Sequence, residues 1–424
     1  MRTLLATTRD RFLLALQYQD YRNLWVATTF SASAAWALII ARGLLAFELT
    51  DGLLWSGIVT FAAMVPRLFA TPISGFLADR FDRQKLLRWI FALNMGNNIL
   101  LALLVMTGLV GPWVLTLLAL VNGTLRASQM TTATALIPNL VPKEHLMNAI
   151  ALNQATQQGA RLAGAMAIAP LLGLVNIESA FWLCSGLYFL GFLQVSRMTT
   201  RSTGVIDESQ GFWANMFEGF VYVYKRPIIM SMVLLVLAHC AFTMSYESML
   251  PAISEDKMGT GRVGVSYLIA GVGAGALFAS VFLAGVRSES ARGRFFLFFA
   301  FSSALGPMLL AWSDNTGLSV AATVIMGANQ AGFMTISHTI IQSLTEDHVR
   351  GRVAGVYSVH VGGSMAVTNM ANAAFADVFS ASAVLVVGGL IFVAAVFVSL
   401  GVNPLRRLYF PRPEPAAAVG TPAD

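Results

Sequence analysis

The chain has 424 residues, of which 56% are hydrophobic and only 11% charged, with a mean hydropathy of +0.68 and a formal charge of +6. That balance excludes a soluble domain with a single anchor and describes a chain that crosses a bilayer many times. Its two cysteines, Cys184 and Cys240, both sit inside apolar runs, which argues against a disulfide framework or a thiolate metal site.

Residues 1–23 carry Arg9, Asp10, Arg11 and Asp20 and have no small-residue cleavage pattern before the first apolar run. They read as a retained segment and not as a signal peptide. Apolar runs then recur at about 24–47, 53–78, 86–108, 112–137, 148–175, 178–196, 228–251, 263–286, 294–312, 317–343, 353–376 and 380–403. At about 1.5 Å per helical residue each approaches the span of a hydrocarbon core of about 30 Å. The expectation is an all-α membrane protein of twelve transmembrane helices, with both termini on one side. A β-barrel would show much shorter segments of alternating polarity.

Between the second and third runs, Gly75-Phe76-Leu77-Ala78-Asp79-Arg80-Phe81-Asp82-Arg83-Gln84-Lys85 packs five charges into a short turn, which must sit in water at a membrane face. Lys and Arg crowd the loops on that side, among them Lys143, Arg197, Lys225, Arg350 and Arg406, whereas the opposite loops keep Lys257 and Arg262. By the positive-inside rule the crowded side is cytoplasmic. The positive balance is thus a topology signal spread over short loops, and no nucleic-acid partner is inferred from it.

The longest polar interval, 197–227, divides the runs into two sets of six. The domain reading is a cytoplasmic segment 1–23, a six-helix bundle 24–196, a linker 197–227, a second bundle 228–403 and a cytoplasmic tail 404–424. In the linker, Phe212, Trp213, Met216, Phe217, Phe220 and Val221 recur at helical spacing and predict an amphipathic surface helix. A weaker basic turn, Arg287 through Arg294, stands after the second run of the second set, as two diverged repeats require.

Within the apolar runs, Arg67, Arg126 and Arg161 fall near mid-span, where an unpartnered charge costs at least about 2.5–3.5 kcal/mol, so they are predicted to face the bundle interior. Arg126 shares a stripe with Asn122 and Gln129, and Arg161 one with Asn153 and Gln157. Arg42, near the outer end of the first run, is read as snorkelling to the interface. In the second set, His239, Thr243 and Glu247 repeat every four residues, as do His338 and Gln342, and as do His360, Ser364, Thr368 and Asn372. Gly159 and Gly164 in the fifth run and Gly271, Gly273 and Gly275 in the eighth permit either sliding or plain close packing.

These residues resemble the major facilitator superfamily, and the resemblance covers nearly the whole chain. Its hairpin motif is matched by Gly75, Asp79, Arg80, Arg83 and Lys85, with Asp82 in place of the usual second glycine. Further matches resemble the branch of drug and siderophore exporters related to the enterobactin exporter: Phe47-Glu48-Leu49-Thr50, Leu136-Ile137-Pro138-Asn139-Leu140-Val141-Pro142, and Gln342 followed by Arg350-Gly351-Arg352-Val353. The antiporter motif of the fifth helix departs from the pattern, with Gly164-Ala165 for Gly-Pro, and Met130 replaces the glycine that follows Arg126 and Gln129 in the fourth.

The resemblance implies two six-helix bundles rocking about a central cavity lined by the first, fourth, seventh and tenth helices. The hairpin is then a latch in which Asp79 accepts from amides at another helix N-terminus and Arg83 holds its orientation; the plain alternative is a solvated turn. The substrate-binding or coupling residues expected are Arg67, Asn122, Arg126, Gln129, Gln157, Arg161, His239, Glu247 and His338. Each also has a plain role: the arginines could hydrogen-bond helix carbonyls, the histidines pack, and Glu247 sit at the interface. Three central arginines imply an anionic or zwitterionic amphiphile, unless each is neutralised by Glu247 or Asp377.

The function expected is a proton-coupled secondary exporter in the inner (cytoplasmic) membrane, acting on a small molecule within the lipid bilayer and needing no cofactor. A lysophospholipid translocase of the same fold is the alternative, and a transport-inactive sensor or scaffold a remote one. An enzyme is disfavoured, because His145, His239, His338, His348 and His360 show no ligand spacing and no phosphate-binding glycine loop exists.

Overall fold

In hydrocarbon a backbone N–H or C=O finds no water, so apolar runs of this length satisfy themselves internally as helices. The computed structural model describes residues 13–200, 202, 212–283, 289–346 and 349–409, save the side chains of residues 72, 79, 212–216, 289–292 and 407. Among the described residues every regular element is helical. We number the long rods α1 (Gln19–Thr50), α2 (Leu53–Met64 and Arg67–Arg80), α3 (Arg83–Met106), α4 (Pro112–Leu140), α5 (Leu146–Leu174) and α6 (Ile177–Ser196). After a linker helix, Phe212–Lys225, come α7 (beginning Pro227–His239), α8 (Gly261–Leu283), α9 (Glu289–Ser302 and Leu305–Trp312), α10 (Thr316–Ser343), α11 (Arg350–Phe379) and α12 (Ala381–Gly401).

Eight of these rods are long and apolar enough to cross a membrane by length and composition. The others, α4, α5, α10 and α11, are of 29, 29, 28 and 30 residues and therefore long enough, but they carry the polar groups of the interior. Low apolarity here reflects what these helices face, not a lack of length.

Besides α9, which a turn at Ser303–Ala304 divides, two rods depart from the continuous spans expected. In α2, Pro66 has no N–H to give, and the chain tightens into Leu68 N–H to Val65 O and Phe69 N–H to Pro66 O bonds, which offsets Arg67 from the first segment. In α7, a π turn at Cys240–Met244 is followed by a 3₁₀ turn at Glu247–Met249, a short helix Leu250–Ile253 and a second π turn at Ser254–Met258. Hence His239, Thr243 and Glu247 do not form one helical face. The carbonyls freed by the break are taken by α11 and α10: Asn372 Nδ2 donates to Ala241 O and Ser245 O at 3.2 and 2.8 Å, and Gln330 Nε2 to Thr243 O at 3.1 Å. This accounts for much of the polar stripe of α11, since irregular backbone at membrane depth needs side-chain partners.

α1 packs on α2, α4, α5 and α6, and α10 on α8 and α9; one hydrophobic core runs from the first set into parts of α7, α8, α10 and α11, and a second lies within the second set. The sets meet along two seams, α5 against α8 and α2 against α11. Both seams depend on glycine: a Cβ on Gly57 would stand 2.7 Å from Ala373 Cβ, and one on Gly273 would stand 2.6 Å from Leu162 N. At the end away from the charged hairpin, called the far end below, Asp377 of α11 accepts from Leu53 N–H and Leu54 N–H of α2 at 2.7 and 2.8 Å. Arg262 of α8 also holds Glu48 of α1 there by two bonds, at 2.5 and 2.8 Å.

The linker helix is present and packs on α11, Gly219 lying against Arg352. Of the repeated basic turn, residues 287–294, positions 287 and 288 and the side chains of 289–292 lie outside the described residues, and the backbone from Glu289 on is the start of α9.

Candidate functional site

Among the described residues, two adjoining cavities share one arginine. The first, of about 90 Å³, is lined by polar groups of α1, α4 and α5, including Thr28, Ser31, Arg126, Gln129, Asn153 and Gln157. The second, of about 30 Å³, lies between α1, α2 and α4 and is lined by Arg42, Thr60, Arg67, Asn122 and Arg126. Arg126 forms part of both walls, and the break in α2 puts Arg67 on the second. The stripe Asn122, Arg126 and Gln129 thus does point inward, with its neutral members held in place: Asn122 Nδ2 donates to Asn94 Oδ1 at 2.7 Å and Gln129 Nε2 to Ser31 Oγ at 2.5 Å.

Arg42 corrects the sequence expectation of snorkelling. Only 4% of it is exposed, and its Nε and Nη2 have no hydrogen-bond partner. It lines the second cavity together with Asn122, so an outer-end position along the helix does not bring it to the interface.

Arg161 and Glu247 meet across the two sets of helices. Arg161 Nη2 is 3.6 Å from Glu247 Oε1, the side chains being 9% and 2% exposed. The same nitrogen donates to Tyr246 Oη at 3.0 Å, and the guanidinium lies 4.3 Å from the Trp36 ring centre. Tyr246 Oη then donates to Gln330 Oε1 at 3.3 Å. One polar chain therefore ties α1, α5, α7 and α10 together at mid-depth. Glu247 is the acid within electrostatic reach of Arg67, Arg126 and Arg161, and its Oε2 has no hydrogen-bond partner. Asp377 neutralises no central arginine, being used at the far end as described.

Sequence reasoning passed over Trp36, Tyr246 and Gln330. Trp36 sits in a small apolar run where an aromatic residue carries no signal, whereas Tyr246 stands directly before Glu247 and could have been singled out with it. Gln330, in the mid-run pair Asn329-Gln330, could have been found by the rule applied to the arginines.

The histidines are placed apart from this chain of contacts. His239 is fully buried, with ring centres of Phe333 and Phe392 at 4.1 and 5.1 Å and Thr243 Oγ1 at 2.7 Å from Nδ1. His338 is an exposed residue of α10 beside Tyr357, with 5.1 Å between ring centres.

At the hairpin, Arg83 Nε donates to Ala78 O at 3.0 Å and Nη1 to Ala135 O at 2.8 Å, fixing the turn to the end of α4. The Arg80 guanidinium lies 4.6 Å from the Phe76 ring centre, and Lys85 is exposed. Asp82, standing where the superfamily has glycine, caps α3 by accepting from Gln84 N–H and Lys85 N–H at 3.0 and 3.1 Å. Among the described residues nothing stands within 4 Å of the Cβ position of Gly75. The Asp79 side chain lies outside the described residues.

Two sets of helices around a polar, arginine-bearing centre define a membrane transporter of the MFS type. The chain belongs to the transmembrane secretion effector family, whose model matches residues 13–408. It is 24% identical over 347 residues to the multidrug efflux pump Tap of Mycobacterium tuberculosis (strain ATCC 25618 / H37Rv), covering 78% of this chain and 80% of that one. It is 22% identical over 214 residues to the uncharacterized MFS-type transporter YfiS of Bacillus subtilis (strain 168), covering 49% of this chain and about half, 50%, of that relative's length. Among solved structures, the nucleoside transporter NupG superposes with a TM-score of 0.72 at 11% identity, over 93% of this chain and 100% of that one. A POT family transporter in complex with 5-aminolevulinic acid gives 0.70 at 10% identity, over 91% and 96%. At such identity the likeness is one of fold. The protein is thus a multi-pass membrane transporter and not an enzyme.

Proposed function

We propose that this protein is a proton-coupled secondary exporter of an amphipathic, anionic or zwitterionic small molecule such as a drug or siderophore, working by alternating access. The observation that carries the reading is the buried Arg161–Glu247 pair across the two sets of helices, beside cavities lined by arginine. A proton arriving on Glu247 removes the negative partner from that link, so protonation and the mutual position of the sets are coupled. The weak similarity to a multidrug efflux pump supports export of small molecules.

In this reading the units are the bundles 24–196 and 228–403 joined by the linker 197–227. The hairpin end and both termini face the cytoplasm of a bacterial inner membrane, as the distribution of Lys and Arg supports. With Asp377 engaged at the far end and Gly75 unopposed, the molecule stands open toward the hairpin side. Asp79 would accept from the amides at the start of α11 when that side closes, a contact to which the helix dipole adds about 0.3–1 kcal/mol.

The test is transport in proteoliposomes under an imposed pH gradient, with drugs, siderophores and lysophospholipids as substrates. Wild type is expected to move its substrate faster with the gradient, and Glu247→Gln to keep exchange while losing the gradient dependence. Wild-type transport indifferent to the gradient removes the coupling, and activity on lysophospholipids alone transfers the reading to a lipid translocase.

A further inference from the structure

The smaller cavity carries more positive charge than the protein balances. Arg42, Arg67 and Arg126 all line it, and Arg126 is within electrostatic reach of both others. Glu247 reaches Arg67 and Arg126 of this group but not Arg42, and its Oε1 lies 3.6 Å from Arg161. Among the described residues three arginines thus share the Glu247 carboxylate, and Arg42 stands beyond its reach. Guanidinium groups held close to one another in low dielectric repel, and they remain charged, so an arrangement of this kind is stable when an anion joins it.

The donors are also unspent. Arg42 Nε and Nη2 and Arg126 Nε and Nη1 are buried without a hydrogen-bond partner, although buried N–H groups are nearly always satisfied. Arg42 is only 4% exposed. The Tyr188 side chain, fully buried on α6, lies within electrostatic reach of Arg42 and Arg126. A volume of about 30 Å³ accommodates a group the size of two waters, hence a carboxylate or a small phosphate end and not a ring system. Guanidinium forks match such oxyanions by paired N–H bonds.

The geometry points to an oxyanion site formed by Arg42, Arg67 and Arg126, with Asn122 and Thr60 on its wall. It deepens the exporter reading and rests on it: the anionic end of the substrate sits in this cavity, and the remainder extends past Arg126 into the larger cavity of about 90 Å³, whose wall also includes Ala32, Met130 and Ala133. Arg161 stands outside the trio, paired with Glu247, so charge recognition and proton coupling are carried by different arginines.

The test is binding, which needs no transport. Purified protein in an uncharged maltoside detergent is titrated with octanoate, octyl phosphate and octyltrimethylammonium, and separately with acetate and inorganic phosphate, reading tryptophan fluorescence and the unfolding midpoint. Octanoate or octyl phosphate is expected to bind saturably without competition from octyltrimethylammonium, and at least tenfold more weakly to Arg42→Gln and Arg126→Gln. Arg42→Lys is expected to recover part of the loss. An alkyl derivative at least tenfold tighter than acetate or inorganic phosphate assigns the site to a substrate headgroup, whereas equal affinities assign it to a free anion.

Absence of saturable anion binding by wild type, or unchanged binding by both glutamine variants, overturns the site. If Arg42→Gln does not elute as a single species, Arg67→Gln and the salt dependence of wild-type binding decide instead. Failure of the pH-gradient experiment leaves these binding curves untouched, so the two proposals fall separately.

Discussion

The two ends of the α2–α11 seam use the same residue type in opposite surroundings. At the far end the Gly57 backbone is pressed against α11, a Cβ there standing 2.7 Å from Ala373 Cβ and 3.0 Å from Met370 Cα. Gly75 lies roughly five turns further along α2 and faces open space. A residue that tolerates close approach is useful at both ends only if both ends close in turn. At the far end Asp377 caps α2 from the other set, and in the proposed cycle Asp79, one turn beyond Gly75 in sequence, would do the same for α11.

Blocking the close approach should have the largest effect. In Gly57→Val the added methyls meet Met370 and Ala373, and overpacking of this kind costs about 1–3 kcal/mol. The far end is expected to be forced apart, with longer spin-label distances between positions 54 and 378 and a transport rate at least tenfold lower. Gly75→Val should leave those distances as they are and still slow transport, because in the proposed cycle it obstructs the later approach of α11 at that end. Equal behaviour of the two variants would mean that α2 and α11 do not rock.

Asp377→Ala removes a capping side chain, a change worth about 0.5–2 kcal/mol. The same label pair should show a partial shift toward the separated population. Should the distances not move, the cap is ornamental to closure and the glycine contact alone holds that end.

The smallest effect is expected from Glu48→Gln at the ion pair with Arg262. The partners are 30% and 42% exposed, and exposed pairs contribute about 0.2–1 kcal/mol. Its influence should fade between low salt and about 0.5 M salt, since the screening length is about 10 Å at 0.1 M and shorter above it. A salt-independent effect would mean that the pair is less solvated than it stands here.

Parts of this arrangement were readable along the chain. An arginine in mid-span must face protein or water, and that rule alone placed Arg67, Arg126 and Arg161 inside. It misplaced Arg42, because distance from the span's end says nothing about which way a helix face points. Periodicity likewise suggested a continuous face through His239, Thr243 and Glu247, but π and 3₁₀ turns leave no trace in a pattern of hydrophobicity. What redirects Glu247 toward Arg161 is the interruption, and its freed carbonyls are met by Asn372 and Gln330, residues far away in sequence.

Apolar run length, interior arginines and the one-sided basic loops belong to the chain's own chemistry: hydrocarbon demands helices of a set length, and charge is costly within it wherever the helices later pack. Which arginine meets a carboxylate and which are left facing a cavity depended on helices brought together from distant parts of the chain. Arg161 found Glu247 while Arg42, Arg67 and Arg126 gathered around a cavity, because rotation about each helix axis and the breaks in α2 and α7 are settled by packing against neighbours, where a small change of angle moves a side chain from one partner to none.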